Sequence, residues 1–383
     1  MSTLRKYRIP IGLLVLALLF SLPWLNWAFQ PTHPLKLLIL DKTVPDRSYR
    51  EHAALIWSLN HFKIPHPEHP TWVKETDYLG YTPENPVTKK PGFGEKLKAE
   101  ALKDKDLLFI ADSYGVYSQD EAEAKREKAP DYSRKLYGGL DDQEVDLIEN
   151  FLNQGKALIA EFNTFASPTR GAARKRLEKL LNLNWTEWSG RYFEKLEHPT
   201  EIPAWARRNW KQQSGSEWNF KGPGYLLVNE NSRVVVLEFG KEVLPEGLRI
   251  YKASHHPFMK DFGDEVPFYY WFDILKVQPG SQVLAEYRLN LTDQGHALLK
   301  KEGIPAQFPA IVLTETPSLR LYLAGDASDS ALDLGSPSWS GRQTWFKNWP
   351  LDSPNPEQID FFWRCYIPLM RNVYAYLSQH YSH

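Results

Sequence analysis

The chain has 383 residues, 42% hydrophobic and 24% charged, which fits one large globular domain or two ordinary ones and excludes extended disorder. Its 46 basic and 47 acidic side chains leave a net charge of −1 and no electrostatic case for a nucleic-acid partner. The single cysteine, Cys365, excludes an intrachain disulfide and a cysteine-built zinc site.

Arg5, Lys6 and Arg8 precede an uncharged run from Ile9 to Phe29. About 20 apolar residues in a helix cross the hydrocarbon layer of a bilayer, so residues 9–29 read as a single transmembrane anchor. The basic cluster holds residues 1–8 in the cytoplasm and exports the rest of the chain. Trp24 and Trp27 fall at the far end, where indoles favour the lipid–water boundary. A cleaved signal peptide is the rival, but Pro23–Phe29 lacks a small-x-small cleavage site. The expected location is the cytoplasmic (inner) membrane, single-pass, with the main domain outside.

Residues 30–34 form a short proline-bearing spacer, and 35–383 form the extracytoplasmic domain, with an insertion at about 190–315. Leu35 to Asp41 reads as a strand apolar on both faces and ending in a carboxylate. Ser48-x-x-Glu51 has the capping-box pattern for a following helix that carries Leu55, Leu59 and Phe62. A Pro-, Tyr- and His-rich excursion comes next, to about Gly94. Leu107 to Asp112 is a second strand ending in an acid, and the charged stretch 120–135 reads as a solvated helix or flap. Asp141 or Asp142 caps a helix bearing Val145, Ile148 and Leu152, closed by Gly155. Lys156 to Glu161 is a third strand, and a basic amphipathic helix covers about 170–181. Short strands at 224–228, 234–237, 269–277 and 282–289 suggest a mixed or antiparallel extension. Leu319 to Ala324 returns as a core strand before Gly325-Asp326, and an aromatic helix spans about 356–378. Strands alternating with helices predict an α/β fold: βαβ units around a parallel-core sheet, with a mixed or antiparallel β extension.

The succession of strand-Asp, strand-Asp112-Ser113-Tyr114-Gly115, and Phe151-Leu152-Asn153-Gln154-Gly155 leading into the third strand resembles the class I glutamine-amidotransferase-like superfamily. The likeness covers about residues 35–185 plus the strand before Asp326. In amidotransferases of that superfamily a nucleophilic cysteine follows the third of these strands. Here the turn reads Glu161-Phe162-Asn163-Thr164, and no late His-x-Glu pair matches. The resemblance therefore implies the flavodoxin-like fold of a non-amidotransferase member, a parallel-core sheet with helices on both faces, and carries over no catalytic residue.

In open α/β sheets, ligands bind beyond the carboxyl ends of the strands. The polar residues there are Asp41 and Lys42; Asp112, Ser113 and Tyr114; Glu161, Asn163 and Thr164; and Asp326, foremost in the stretch Asp326-Ala327-Ser328-Asp329. Carboxylates converging on one rim push their pKa values apart, as acid–base chemistry requires; an isolated strand-end Asp more often caps a turn. Arg191, among Trp185, Trp188, Tyr192 and Phe193, suits a sugar or carboxylate ligand. Asp112-Ser113-Tyr114-Gly115 lacks the elbow of a serine hydrolase. His61, His66 and His69 lie in a proline-stiffened stretch without metal-ligand spacing, so no metal and no cofactor is expected. The leading expectation is a membrane-anchored domain that binds or helps process an envelope or exported polysaccharide, with membrane and glycan partners. A hydrolase using strand-end carboxylates, or a structural subunit docking other membrane proteins, are the alternatives.

Overall fold

The protein is seen in a computed structural model that describes residues 3–85, 87–88, 90–120, 133–198, 201–330, 334–340 and 356–381. The strands in chain order begin with β1 (Leu37–Asp41), β2 (Leu79–Thr82), β3 (Phe93–Gly94) and β4 (Leu107–Asp112). Next come β5 (Val116–Tyr117), β6 (Lys135–Tyr137), β7 (Ala157–Ala160) and β8 (Leu183–Phe193). They continue with β9 (Gly224–Asn229), β10 (Val234–Glu238), β11 (Val243–Lys252) and β12 (Glu265–Pro267). The last four are β13 (Phe272–Val277), β14 (Gln282–Leu291), β15 (Gln307–Thr314) and β16 (Arg320–Leu323).

Ten strands form one sheet in the order β12-β11-β14-β15-β16-β7-β4-β1-β2-β3. Pairing is parallel from β16 through β7, β4 and β1 to β2, and antiparallel outside that core. Numbered among themselves, the five parallel strands run 2-1-3-4-5 across the sheet, which is the flavodoxin-like order. Every residue of β4, β7 and β16 is buried, as continuous apolar strands covered on both faces must be. The crossovers β1→β2 and β4→β7 run in opposite directions, and right-handedness puts their helices on opposite faces. The helix Ala53–His61 shares its face with the closing helix, where Ser58 Oγ lies 3.0 Å from Tyr374 OH. Asp142–Asn153 and Gly171–Leu181 cover the other face, linked by Arg176 to Asp146 and Glu149 at 2.6 Å. A second sheet, β10-β9-β8-β13, is antiparallel throughout and meets the first where Asp273 N donates to the Ala324 carbonyl at 2.7 Å.

Asp141 caps its helix fully: Glu144 N donates to Asp141 Oδ1 at 3.0 Å, and Asp141 N to Glu144 Oε2 at 3.2 Å. The Ser48–Glu51 capping box does not form. Ser48 N instead donates to Asp46 Oδ1, a 3-10 turn covers Arg50–His52, and the helix Ala53–His61 starts without a side-chain cap. Glu51 is free for this because its carboxyl turns inward beside Arg50. The aromatic closing helix comprises Pro356–Phe361, a π turn Phe362–Tyr366 and Ile367–His380. Strands β2, β3, β5, β6, β8, β11, β12 and β15 have no counterpart in the sequence reading, and β2, a strand of the parallel core, falls in the stretch read as an excursion. Of the segment 120–135, residues 121–132 lie outside the described residues, and β6 occupies its end.

A helix does form over Thr3–Ala28, but among the described residues no helix is long and apolar enough to cross a membrane. The end of the expected span is docked on the domain. Trp27 Nε1 donates to the His61 carbonyl at 2.8 Å, Lys63 Nζ binds the Ala28 and Gln30 carbonyls, and Ser340 Oγ donates to the Pro23 carbonyl at 2.9 Å. The remainder, Ile9 to Leu22, rises only about 21 Å as a helix, short of the roughly 30 Å hydrocarbon layer. The full 9–29 span is therefore not supported.

Candidate functional site

The parallel order brings the ends of β1, β4, β7 and β16 to one rim, and with them Asp41, Asp112, Glu161 and Asp326, all buried. The hydrogen-bond partners of each carboxylate tell the four apart.

At β1, Asp41 Oδ2 lies 2.5 Å from His52 Nδ1, and Oδ1 accepts from Thr43 N at 2.9 Å. The other ring nitrogen of His52 faces the Lys74 carbonyl at 2.8 Å, so both nitrogens meet oxygen acceptors. Lys42 is closed off within the chain: its Nζ contacts Glu144 Oε1 and Oε2 at 2.6 and 2.7 Å and donates to the Gly139 carbonyl at 2.8 Å. Burial lowers the Lys42 pKa, against the pull of Glu144. This closed pair ties β1 to the N-terminus of the helix Asp142–Asn153 and presents no charge to a ligand.

At β4, Asp112 accepts from Thr43 Oγ1 (2.7 Å), Tyr114 N (2.6 Å) and Asn163 Nδ2 (3.0 Å). Burial pushes its carboxyl up to about 7, with the Asp41 charge adding to the shift. Gly115 (φ +98°) follows where a Cβ would meet the Tyr137 carbonyl at 2.1 Å, so only glycine closes this turn. Ser113 is buried and donates to the Asn163 carbonyl at 3.1 Å, which removes it from nucleophilic use. Tyr114 is 38% exposed and leans on Tyr117. Asn163, in the left-handed region at φ +67°, also donates its N–H to Asp273 Oδ2 at 3.3 Å. Asp273 is itself buried, accepts from Ser189 Oγ and Tyr322 OH, and is pushed up to about 6 by burial.

At β7, Glu161 Oε2 and Oε1 accept from Ser328 N and Oγ, each at 2.9 Å. Burial pushes its carboxyl up to about 8.

The end of β16 is different. Among the described residues, the Asp326 carboxylate takes no hydrogen bond and no ion pair, although the residue is only 6% exposed. Beside it lie Glu51 and Asp329; one oxygen from each of the three falls within 4.8 Å of the others. Burial, then Asp329, raise Asp326 well above the carboxylate range; burial, then Asp329, do the same to Glu51. Arg50 supplies the counter-charge to two of the three, with Nη2 2.7 Å from Asp329 Oδ2 and Nε 3.3 Å from Glu51 Oε1. Arg191 belongs to the same group: burial lowers its pKa, as does Arg50 next to it, while Asp329, Asp326 and Glu51 pull it up. Its guanidinium stacks on Phe193 (5.2 Å) and Trp271 (5.7 Å), rather than on Trp188 or Tyr192, and makes no hydrogen bond among the described residues.

Of the candidates read from sequence, the structure thus gathers Arg191 with Asp326, consigns Lys42 and Ser113 to the frame, and gives Asp41, Asp112, Glu161 and Asn163 internal partners. Arg50, Glu51, His52 and Asp273 are site residues that sequence reasoning does not single out. Asp329 enters there only within the stretch begun by Asp326, three residues beyond that strand-end Asp. The histidine stretch gathers no ligand set: His61 stacks on Trp57 and faces the Pro337 carbonyl, while His66 Nδ1 accepts from the backbone of Glu68 and His69. Cys365 is fully buried in the π turn, not in the turn after β7, and burial pushes its thiol up.

Fold and rim together define a flavodoxin-like α/β protein with an acidic cluster at the end of its fifth parallel strand. No protein-family model matches the chain, and neither does any curated protein. Solved structures similar to it include a glutamine amidotransferase from Thermotoga maritima, at 10% identity over 91% of this chain and 100% of that one, with a TM-score of 0.37. Two ThuA-like proteins are also similar. One, from Bacteroides uniformis, has 11% identity over 77% and 84% of the two chains and a TM-score of 0.34. The other, from Parabacteroides merdae, has 10% identity over 76% and 79% and a TM-score of 0.36. Likenesses this distant carry no argument about activity.

Proposed function

We propose that this is a membrane-associated saccharide-binding protein without glutaminase activity, holding its ligand at the carboxyl end of β16. The observation that carries the reading is the Asp326 carboxylate, without a partner among the described residues and within electrostatic reach of Arg191, whose guanidinium lies on the rings of Phe193 and Trp271. Sugar hydroxyls donate to carboxylates and accept from guanidinium groups, and flat rings cover the apolar faces of pyranoses. Phe162 stacks on Trp271 at 5.9 Å and 15°, extending the aromatic surface. Membrane association is supported by the helix Thr3–Ala28, where Leu13, Val15, Leu16, Leu18, Leu19, Phe20 and Leu22 stand exposed. Against glutaminase stands the turn after β7, which offers Glu161 where a nucleophile would sit, while the one cysteine is buried elsewhere.

The test is a tryptophan-fluorescence titration of the full chain in detergent with neutral and acidic oligosaccharides. Saturable quenching that Arg191→Ala weakens at least tenfold supports the reading; no saturable response to any of them sinks it. Flotation with anionic vesicles tests the membrane half, with loss of flotation expected when residues 1–30 are removed.

Hydrolysis gains one observation, the carboxyls of Asp112 and Glu161 raised toward neutrality as general acids need. Both are already held by protein donors, so binding takes precedence. Glycoside turnover lost in both Asp112→Asn and Glu161→Gln would reverse that order.

A further inference from the structure

We propose that Glu51, Asp326 and Asp329 form a binding site for a divalent cation of calcium size. One oxygen from each carboxylate lies within 4.8 Å of the others. Calcium sits about 2.3–2.6 Å from its oxygens, which allows separations up to about 5 Å across the ion; magnesium, at about 2.0–2.1 Å, requires them to close to about 4 Å.

The cluster alone would not carry the proposal, since acidic groups gather on many surfaces. The second observation is Asp326, more than nine-tenths buried, directed at Glu51 and Asp329, and without a donor among the described residues. A buried carboxyl group without a protein donor needs a partner, and its neighbours are two more carboxyl groups. Arg50 reaches Asp329 and Glu51 but makes no contact with Asp326 that would satisfy it.

The chain also supplies a rigid frame. Asp326 N donates to the Trp271 carbonyl at 2.9 Å, and Ser330 N to the Arg50 carbonyl at 3.0 Å, which ties the segment holding Asp326 and Asp329 to the turn holding Glu51. The three carboxylates are thereby fixed from two directions before any ion arrives. The site stands independently of saccharide binding, because an ion can be held with no sugar present.

The experiment titrates the full-length protein in detergent micelles with Tb³⁺, read by its emission on tryptophan excitation, with Ca²⁺ and Mg²⁺ as competitors. Trp271, joined to Asp326 by a backbone hydrogen bond, is the expected energy donor. Emission should saturate at one ion per chain and be displaced by Ca²⁺ at lower concentration than by Mg²⁺. It should weaken at least tenfold in Asp326→Asn, and equally in Asp329→Asn, each checked for native circular dichroism. Emission that does not saturate, or that survives unchanged in both variants, overturns the site and leaves a cluster neutralised by shared protons.

Discussion

The β1 end and the β16 end of the same rim both bury charge, and they handle it in opposite ways. Lys42, nearly out of solvent, is locked between both oxygens of Glu144 and the Gly139 carbonyl, and Asp41 is matched by His52. Among the described residues Asp326 has no such partner, and Arg191 rests on aromatic rings without an acceptor. The first arrangement is the one buried charges adopt when they hold a fold together. The second leaves an acceptor and a guanidinium open to a ligand, so the contrast separates the frame from the proposed site more sharply than burial does.

The largest effect should come from opening the closed end. Lys42→Met leaves Glu144 buried and uncompensated, and should cost about 3–5 kcal/mol in denaturant-induced unfolding of the full chain. A loss under about 1 kcal/mol would mean the pair is not structural, and the contrast between the two ends would collapse.

A smaller effect should appear with pH. Asp112 and Glu161 have folded-state values of about 7 and about 8, above the ordinary carboxylate range, so the native state binds more protons than the unfolded chain through neutral pH. Stability is then greatest below those values and lost as pH rises through them, by roughly 1–3 kcal/mol between pH 6.5 and 8.5 with chelator present. Histidines with lowered values, such as His61, have completed their opposing effect by about pH 7. A flat or rising profile contradicts the assignment.

Smaller again is the sharpening expected from Glu161→Gln. It keeps one oxygen acceptor for Ser328 and removes the titrating group, so the pH slope should fall by about half or more while stability at pH 6 changes by less than about 1.5 kcal/mol.

The frame is legible in the sequence because it is local. Leu37 to Asp41, Leu107 to Asp112 and Ala157 to Ala160 are unbroken apolar runs, which declare buried parallel strands and place their terminal acids on one rim. The site is only half legible because its contacts are distant in sequence: Arg50 meets Asp329 across 279 residues. Glu51 misleads for a specific reason, since its spacing from Ser48 imitates a capping box and nothing local says that the carboxyl turns inward. Strand β11 escapes notice because Pro245, Glu246 and Gly247 interrupt its pattern. The apolar run at residues 9–29 declares a helix, but hydropathy does not reveal that its last turn docks onto His61, Lys63 and Ser340.

The central claim, that the β16 end is held open for a ligand, is tested most directly by the stability of Asp326→Asn in metal-free buffer above neutral pH. Removing a buried carboxylate that has no partner should leave the full chain as stable as before or up to about 1 kcal/mol more stable, while Tb³⁺ and saccharide binding are lost. A destabilisation of about 2 kcal/mol or more would show that Asp326 belongs to the frame, like Lys42, and would contradict the claim.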